Sequence, residues 1–431
     1  MTDRHKPAPA PRFRFEPLHP ESAATTLELF FDLVFVFALT QITAFMAHDV
    51  GTERLVQGLL VLGLLWWSWT GYAWLGNVVK ADEGATRIAM LTAMAAMFVI
   101  ALAIPEAFDD SPGGISSPYA IAVCYFVLRT VHIAAFWAVA AGDAGLRRQL
   151  ARFGASMLVA TGLLITAAAA SGNARTWLWV GVLIADYLGT FLGGAGGWRL
   201  PGARHFAERH GLIVIVALGE SVVAIGVGVS DRPFSGSIVA ASLLGLVLTG
   251  ALWWLYFDTS ALRTERALAE ADDVTRARMG RDAFSLLHLP IVAGIVLLAL
   301  GMKKVLEYVA DTEHHDLSDP LEGVALAALV LGVVVYLLGQ AAYYYRCTAT
   351  LKVFRVSAAV LLLPLLAAGP QMPAMATLGV LAAVVALMAA WETHVFAADR
   401  HELRHSAHPE PAHHAEHAEH ADHGGSGVHG T

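Results

Sequence analysis

The sequence predicts an all-α membrane protein, a polytopic transmembrane helix bundle with about 12 spans. Long apolar runs alternate with short polar segments along the whole chain, the pattern of a polytopic membrane protein. Of the 431 residues, 56% are hydrophobic and only 15% are charged, and the mean hydropathy is +0.57. Soluble domains carry about 25% charged residues, so a soluble fold is disfavoured.

Twelve apolar segments are long enough, or nearly so, to cross a bilayer, which takes about 20 helical residues. The first is too long for the apolar core of a signal peptide, so we interpret it as a retained membrane helix. The least distinct features are the break between the fifth and sixth spans and the short eleventh span. The segments are residues 25–48, 54–76, 86–104, 118–141, 151–171, 175–196, 208–229, 236–258, 281–301, 321–345, 353–369 and 374–397.

The distribution of Lys and Arg supports this count independently. Of the 28 basic residues, 22 fall on one side of the membrane if the chain has twelve spans, and only five fall on the other. Short cytoplasmic loops carry an excess of Lys and Arg. Both termini are therefore predicted to be cytoplasmic.

The chain also shows signs of an internal duplication. Span seven, from Glu208, aligns without gaps to span one, from Glu28, and the second span of each half carries a Trp pair. Six is an even number, so both halves would enter the membrane in the same direction, as parallel repeats do in transporters. The predicted organisation is a polar cytoplasmic segment, a first six-helix repeat, a second six-helix repeat and a disordered His-rich cytoplasmic tail, covering residues 1–24, 25–196, 197–399 and 400–431.

Two motifs carry a family resemblance. LELFFDLVFVFAL at 27–39 and ERHGLIVIVALGES at 208–221 resemble the bacterial low temperature requirement protein A (LtrA) family, and the resemblance extends over most of residues 20–397. It implies a polytopic protein of the bacterial inner membrane. It implies no particular reaction or solute.

Two carboxylates, Glu28 and Asp32, lie within the first apolar run. At i and i+4 they share one helix face. An ionisable group at membrane depth costs roughly 2.5–3.5 kcal/mol on insertion scales, so such residues usually have a function. Glu28 lies near the start of its helix, where a capping role is the simpler interpretation. Asp32 lies deeper in the span, toward the membrane midplane.

Other ionisable residues occupy the middle of their spans, namely Glu220, Arg129 with His132 one turn on, and Asp186. Buried charges of opposite sign should pair. We therefore expect Arg129 to cluster with one or more of Asp32, Glu220 and Asp186. Such a cluster would be either a structural salt bridge that fixes helix register or a site where a carboxylate changes protonation during transport.

Histidines mark two further candidates. His288 is followed by Pro290, which kinks a helix, and a polar residue beside a kink often opens toward a cavity. A simple hydrogen bond to a neighbouring helix is the alternative. The tail beyond residue 400 has the composition of a disordered segment and could bind Zn²⁺ or Ni²⁺ weakly. The weak metal candidates are His413, His414, His417 and His420.

The favoured function is secondary transport of a small polar or charged solute, with proton coupling through the intramembrane carboxylates as one option. The lipid bilayer and an unknown small solute or ion are the expected partners, and the oligomeric state stays open. The chain lacks a basic patch interleaved with aromatics, so nucleic acid is not an expected partner. No HExxH or GxSxG motif lies within the spans, so neither an enzyme nor a cofactor is expected. The alternatives are an ion channel and a membrane sensor or assembly factor.

Overall fold

The all-α membrane fold is confirmed. A computed structural model describes residues 22–111, 113–194, 197–230 and 232–397, and within these ranges every named regular element is helical. Within these described ranges, ten helical segments are long and apolar enough to cross a membrane. The predicted His-rich tail, with its metal candidates His413, His414, His417 and His420, and almost all of the predicted N-terminal segment lie outside the described residues.

The first half of the chain folds into six long helices. The first begins with a capping box, because Thr25 Oγ1 accepts from the backbone N–H of Glu28 while the Glu28 carboxylate accepts from the N–H of Thr25. α3 continues into a short 3-10 turn, Ile104–Glu106. The helices are α1 Thr26–His48, α2 Thr52–Val78, α3 Gly84–Ala103, α4 Ser117–Val139, α5 Ala144–Ala169 and α6 Gly172–Gly193.

Two of these helices are not among the ten apolar segments. α2 and α6 are 27 and 22 residues long, which is sufficient to cross a bilayer. Both are rich in Trp and Gly, residues of low hydropathy. The length of both helices fits a membrane span; most residues of α2 are buried, whereas α6 exposes Trp177, Ile184 and Leu188.

The second half is less regular. Its elements are α7 Ala203–Val227, α8 Gly236–Leu255, α9 Ala261–Glu270, α10 Asp273–Met279, α11 His288–Ala310, α12 Gly323–Thr348, α13 Val353–Leu362, α14 Leu365–Ala368 and α15 Ala374–Val395. Two π-helical segments, Tyr256–Ser260 and Gly280–Leu286, join α8 to α9 and α10 to α11. The segment 259–281, interpreted from its charge as a polar loop, is therefore mostly helical.

The two halves pack their helices in corresponding order. In the first half α1 packs on α3, α3 on α4, α4 on α5, α5 on α6, and α2 on both α1 and α6. In the second half α7 packs on α11, α11 on α12, α12 on α13, α13 on α15, and α8 on both α7 and α15. The halves meet where α1 and α2 contact α7 and α11.

Glycines permit the tightest helix pair, α11 with α12. A Cβ on Gly332 would lie 2.5 Å from the backbone nitrogen of Leu298, and a Cβ on Gly294 would lie 2.6 Å from the carbonyl oxygen of Gly332. Helices in membranes associate through close backbone approach at small residues, because lipid provides no hydrophobic force between them. These glycines are therefore required by packing.

Substituting Gly332→Ala should destabilise the protein, because the added methyl meets backbone that cannot rotate away. Overpacking of this kind costs about 1–3 kcal/mol. The matched control is Gly162→Ala in α5, where a Cβ meets nothing within 4 Å. Thermal stability in detergent, followed by size-exclusion chromatography of heated samples, should fall for Gly332→Ala alone. Equal midpoints for the two variants would contradict the packing argument.

Candidate functional site

A buried ion pair lies between α1 and α7. Arg209 Nη2 donates to Asp32 Oδ1 at 2.9 Å, and both side chains are at most 1% exposed. The indole of Trp69, from α2, donates to the same Asp32 oxygen at 2.8 Å. The other oxygen, Asp32 Oδ2, has no hydrogen-bond partner among the described residues.

Glu28 extends this cluster by one helical turn. Arg209 Nη1 lies 3.2 Å from Glu28 Oε1, an ion-pair contact without the alignment of a hydrogen bond. His205 Nε2 lies 3.1 Å from Glu28 Oε2, which also accepts from the hydroxyl and the N–H of Thr25. Glu28 is thus both the capping residue that its position predicted and a member of a charged cluster.

The cluster has two acids and one permanent cation. Glu28 and Asp32 face Arg209, and His205 supplies a second positive charge only when it is protonated. Because all four side chains are buried, their charges interact with little screening by water. We call these four residues the α1–α7 charge cluster.

Arg209 and His205 were not identified from the sequence. His205 lies before the predicted span seven and Arg209 at its second residue, yet both lie on the first turns of α7. The available signal was spacing. His205 and Arg209 are four residues apart, as are Glu28 and Asp32, so each pair lies on one face of its helix and the two faces can meet.

Glu220 lies deeper on α7 and is also buried. Its Oε2 accepts from the hydroxyl of Thr40 on α1 at 2.5 Å. The neighbouring Ser221 hydroxyl has no hydrogen-bond partner among the described residues. Glu220 therefore faces α1, as Asp32 faces α7, but the two acids bind different partners.

Of the three acids expected to cluster with Arg129, Asp186 interacts with it electrostatically, and Asp32 and Glu220 do not. Asp32 pairs with Arg209 and Glu220 with Thr40, so neither is the partner of Arg129. Asp186 is close enough to Arg129 for an electrostatic interaction, but its Oδ2 accepts from Tyr125. No carboxylate in the described ranges lies within ion-pair distance of Arg129. Which buried charges meet depends on how the helices pack, and the sequence alone does not show this.

A cavity of about 40 Å³ lies beside Arg129 and His132. Its wall includes Trp67 on α2 and Phe153 on α5, together with Ser285 of the second π-helical segment. The cavity therefore lies between the two halves of the chain. We call it the Arg129 cavity.

A family model described as "Bacterial low temperature requirement A protein (LtrA)" matches residues 23–390. The chain belongs to the LtrA family. An uncharacterized protein of Rhizobium meliloti (strain 1021) is similar to it, with 30% identity over 294 residues, which covers 65% of this chain and 69% of the relative.

His288 of the LtrA chain takes the simpler of its two predicted roles. Its Nδ1–H donates to the carbonyl of Ala283 at 3.1 Å, so its Nε2 accepts from the hydroxyl of Tyr256 at 2.8 Å. Tyr256 lies on the first π-helical segment and His288 directly follows the second. The histidine thus links the two irregular segments, and both of its ring nitrogens are satisfied.

Arg355 is a buried arginine whose charge is fully matched by the protein. Arg355 on α13 donates from Nε and Nη2 to the two carboxylate oxygens of Glu392 on α15, at 2.9 and 2.8 Å. It also donates to Gln340 on α12 and to the carbonyl of Leu255 at the end of α8. This arginine joins four helices, and its hydrogen bonds are those of a structural tie.

The described residues contain one group with metal-ligand geometry, namely Asp311, Glu313 and His314 in the loop after α11. Asp311 already contacts His314 and Arg232. The hydrogen bond from His314, with the nearby Arg232, lowers the pKa of the Asp311 carboxyl below its ordinary value. These contacts account for the group without a metal.

Removing Arg209 should strongly destabilise the LtrA chain. Arg209→Met leaves two buried carboxylates without their cation, and breaking a buried pair in this way costs about 3–5 kcal/mol. The double variant Asp32→Asn with Arg209→Met should be more stable than Arg209→Met alone, because one uncompensated charge is gone.

Thermal midpoints in detergent and membrane abundance measure this effect. Arg199→Met is the matched control, since Arg199 is 79% exposed and pairs with Asp143 at the surface. The interpretation fails if Arg209→Met and Arg199→Met melt at the same temperature.

Proposed function

We propose that the protein is a secondary transporter of a small polar or charged solute in the bacterial inner membrane. Twelve spanning helices would be arranged as two parallel six-helix repeats, with both termini cytoplasmic. Here α13, α14 and the 3-10 turn after them form the eleventh span, and α2 and α6 complete the count. The proposal assigns no catalytic chemistry to the chain.

The helix packing supports the repeat. Each half packs its first span on its third, its third on its fourth, its fourth on its fifth and its fifth on its sixth. In each half the second span contacts the first and the sixth. A chance resemblance between apolar segments would not require this shared order.

One observation carries the functional proposal: the contact between the halves is charged. α1 belongs to the first half and α7 to the second, and they meet through the α1–α7 charge cluster and through Glu220 with Thr40. Transporters with repeats place their polar sites between the repeats and rock one against the other. An ion pair with two arrangements would suit such a movement, whereas a purely static interface could use apolar side chains of equal volume.

Proton coupling would act through Asp32 and Glu220. A carboxylate that binds a proton loses its charge, so its attraction to Arg209 or its neighbours weakens, and the interface between the halves becomes easier to separate. The alternative functions differ in kinetics. A channel would give flux that does not saturate, and a sensor or assembly factor would give none.

The test is solute uptake by purified protein in proteoliposomes, with and without a pH gradient, over a panel of small ions and polar solutes. Wild type should show saturable uptake, and the variants Asp32→Asn and Glu220→Gln should reduce its initial rate at least tenfold or remove its dependence on pH. Asp273→Asn is the control, because Asp273 is 96% exposed at the start of α10. Uptake that is unchanged in both buried variants, at equal protein incorporation, would refute the proposal.

A further inference from the structure

The Arg129 cavity differs from the α1–α7 charge cluster because Arg209 has two carboxylates within ion-pair distance, whereas Arg129 has none among the described residues. Arg129 is 1% exposed, and its Nε and Nη2 hydrogens have no hydrogen-bond partner within the described part of the chain. A buried cation is strongly unfavourable unless an anion or several acceptors satisfy it. Asp186, which interacts electrostatically with Arg129, does not line the cavity and is hydrogen-bonded to Tyr125.

Neighbouring polar groups also lack hydrogen-bond partners. His132, one turn from Arg129, is 2% exposed and has no hydrogen-bond partner on either ring nitrogen in the described ranges. The indole nitrogen of Trp67 and the hydroxyl of Thr190 on α6 also lack partners there. These residues all line the cavity, and no carboxylate does so among the described residues. The site therefore offers donors and positive charge to whatever fills it.

Size restricts what can enter. One water needs roughly 10–15 Å³ of cavity space, so a cavity of about 40 Å³ holds a few waters or a small ion. Drug-sized ligands occupy pockets of roughly 300–1,000 Å³ and would not fit. Arg281, whose side chain is 21% exposed, adds a second positive charge to the wall, although Asp282 already pairs with it.

We infer that the Arg129 cavity binds a small planar oxyanion of the size of nitrate or formate, with Arg129 as its principal ligand and His132 and Trp67 as further donors. The planar guanidinium presents parallel N–H groups that match two oxygens of such an anion. A halide offers one centre and gains less from this geometry. The inference rests on the proposed function in one respect, since the bound anion would be the transported solute.

Tryptophan fluorescence of the detergent-purified full chain gives the first test, because Trp67, Trp74 and Trp198 line the cavity. Sodium nitrate, formate and chloride are titrated separately against sodium gluconate at constant ionic strength. Wild type should give a saturable change with nitrate and formate, and chloride should bind at least tenfold more weakly. A linear response to all three anions, equal to that of gluconate, would overturn the inference.

Two test variants, Arg129→Gln and Gly71→Ala, each with its own control, assign the binding to this cavity. Arg129→Gln should weaken nitrate and formate binding at least tenfold, while Arg147→Gln, an exposed arginine on α5, should bind as wild type does. Binding that is equal in Arg129→Gln and wild type would refute the role of Arg129.

A second variant covers the case in which Arg129→Gln does not fold. A Cβ on Gly71 of α2 would lie 3.1 Å from His132 Nε2 and 3.3 Å from Arg129 Nη1. Gly71→Ala should therefore narrow the cavity and weaken binding at least threefold without removing a charge, while Gly162→Ala should not. Equal binding by these two variants would also refute the assigned cavity.

Binding and transport can fail separately. Saturable binding that depends on Arg129, without uptake of nitrate or formate in proteoliposomes, would support the oxyanion site and refute transport of that anion. Uptake of another solute, with no anion binding to the purified protein, would support transport and refute the oxyanion site.

Discussion

The arrangement of the two halves depends on how buried charge is compensated between α1 and α7. Glu28 and Asp32 on one helix face Arg209 and His205 on the other, and all four side chains are buried. Lipid supplies no water to satisfy a separated charge, so the two helices can part only if the charges change or find other partners. This constraint fixes the register of α1 against α7. Trp69 of α2 also donates to Asp32, so α1, α2 and α7 meet at this carboxylate.

Backbone irregularity provides the second set of polar contacts. The π-helical segments Tyr256–Ser260 and Gly280–Leu286 lie where side chains from other helices need acceptors. The carbonyl of Ser285 accepts from the indole of Trp66 at 2.7 Å, and the carbonyl of Leu255 accepts from Arg355 at 2.8 Å. Non-helical backbone at membrane depth is tolerated only where protein or a cavity satisfies it. Here the freed carbonyls and the buried donors satisfy each other.

The sequence was sufficient to predict the fold class and the family, because apolar length is a local property and the two motifs are specific. It also located Asp32, Glu220, Arg129 and Asp186 within helices. It did not predict which charges meet. Arg209 was not singled out because a charged residue at the start of an apolar run resembles an interfacial one, but α7 begins several residues earlier than the hydropathy suggests. The helices between 259 and 281 were missed for a related reason. This segment is rich in charged residues, and hydropathy alone does not distinguish a charged helix from a polar loop.

Arg129 and Arg355 show why the partner of a buried charge indicates its role. Both arginines are at most 1% exposed and both lie within helices of the bundle. Arg355 has the two oxygens of Glu392, the amide oxygen of Gln340 and a backbone carbonyl, so its charge is matched by the protein itself. Arg129 faces a cavity with two of its nitrogens unmatched by the described residues, and His132 beside it has the same deficit. Both cations are buried, so Arg129 lacks the compensation that Arg355 receives from the protein, and an anion or acceptor that enters the cavity would supply it.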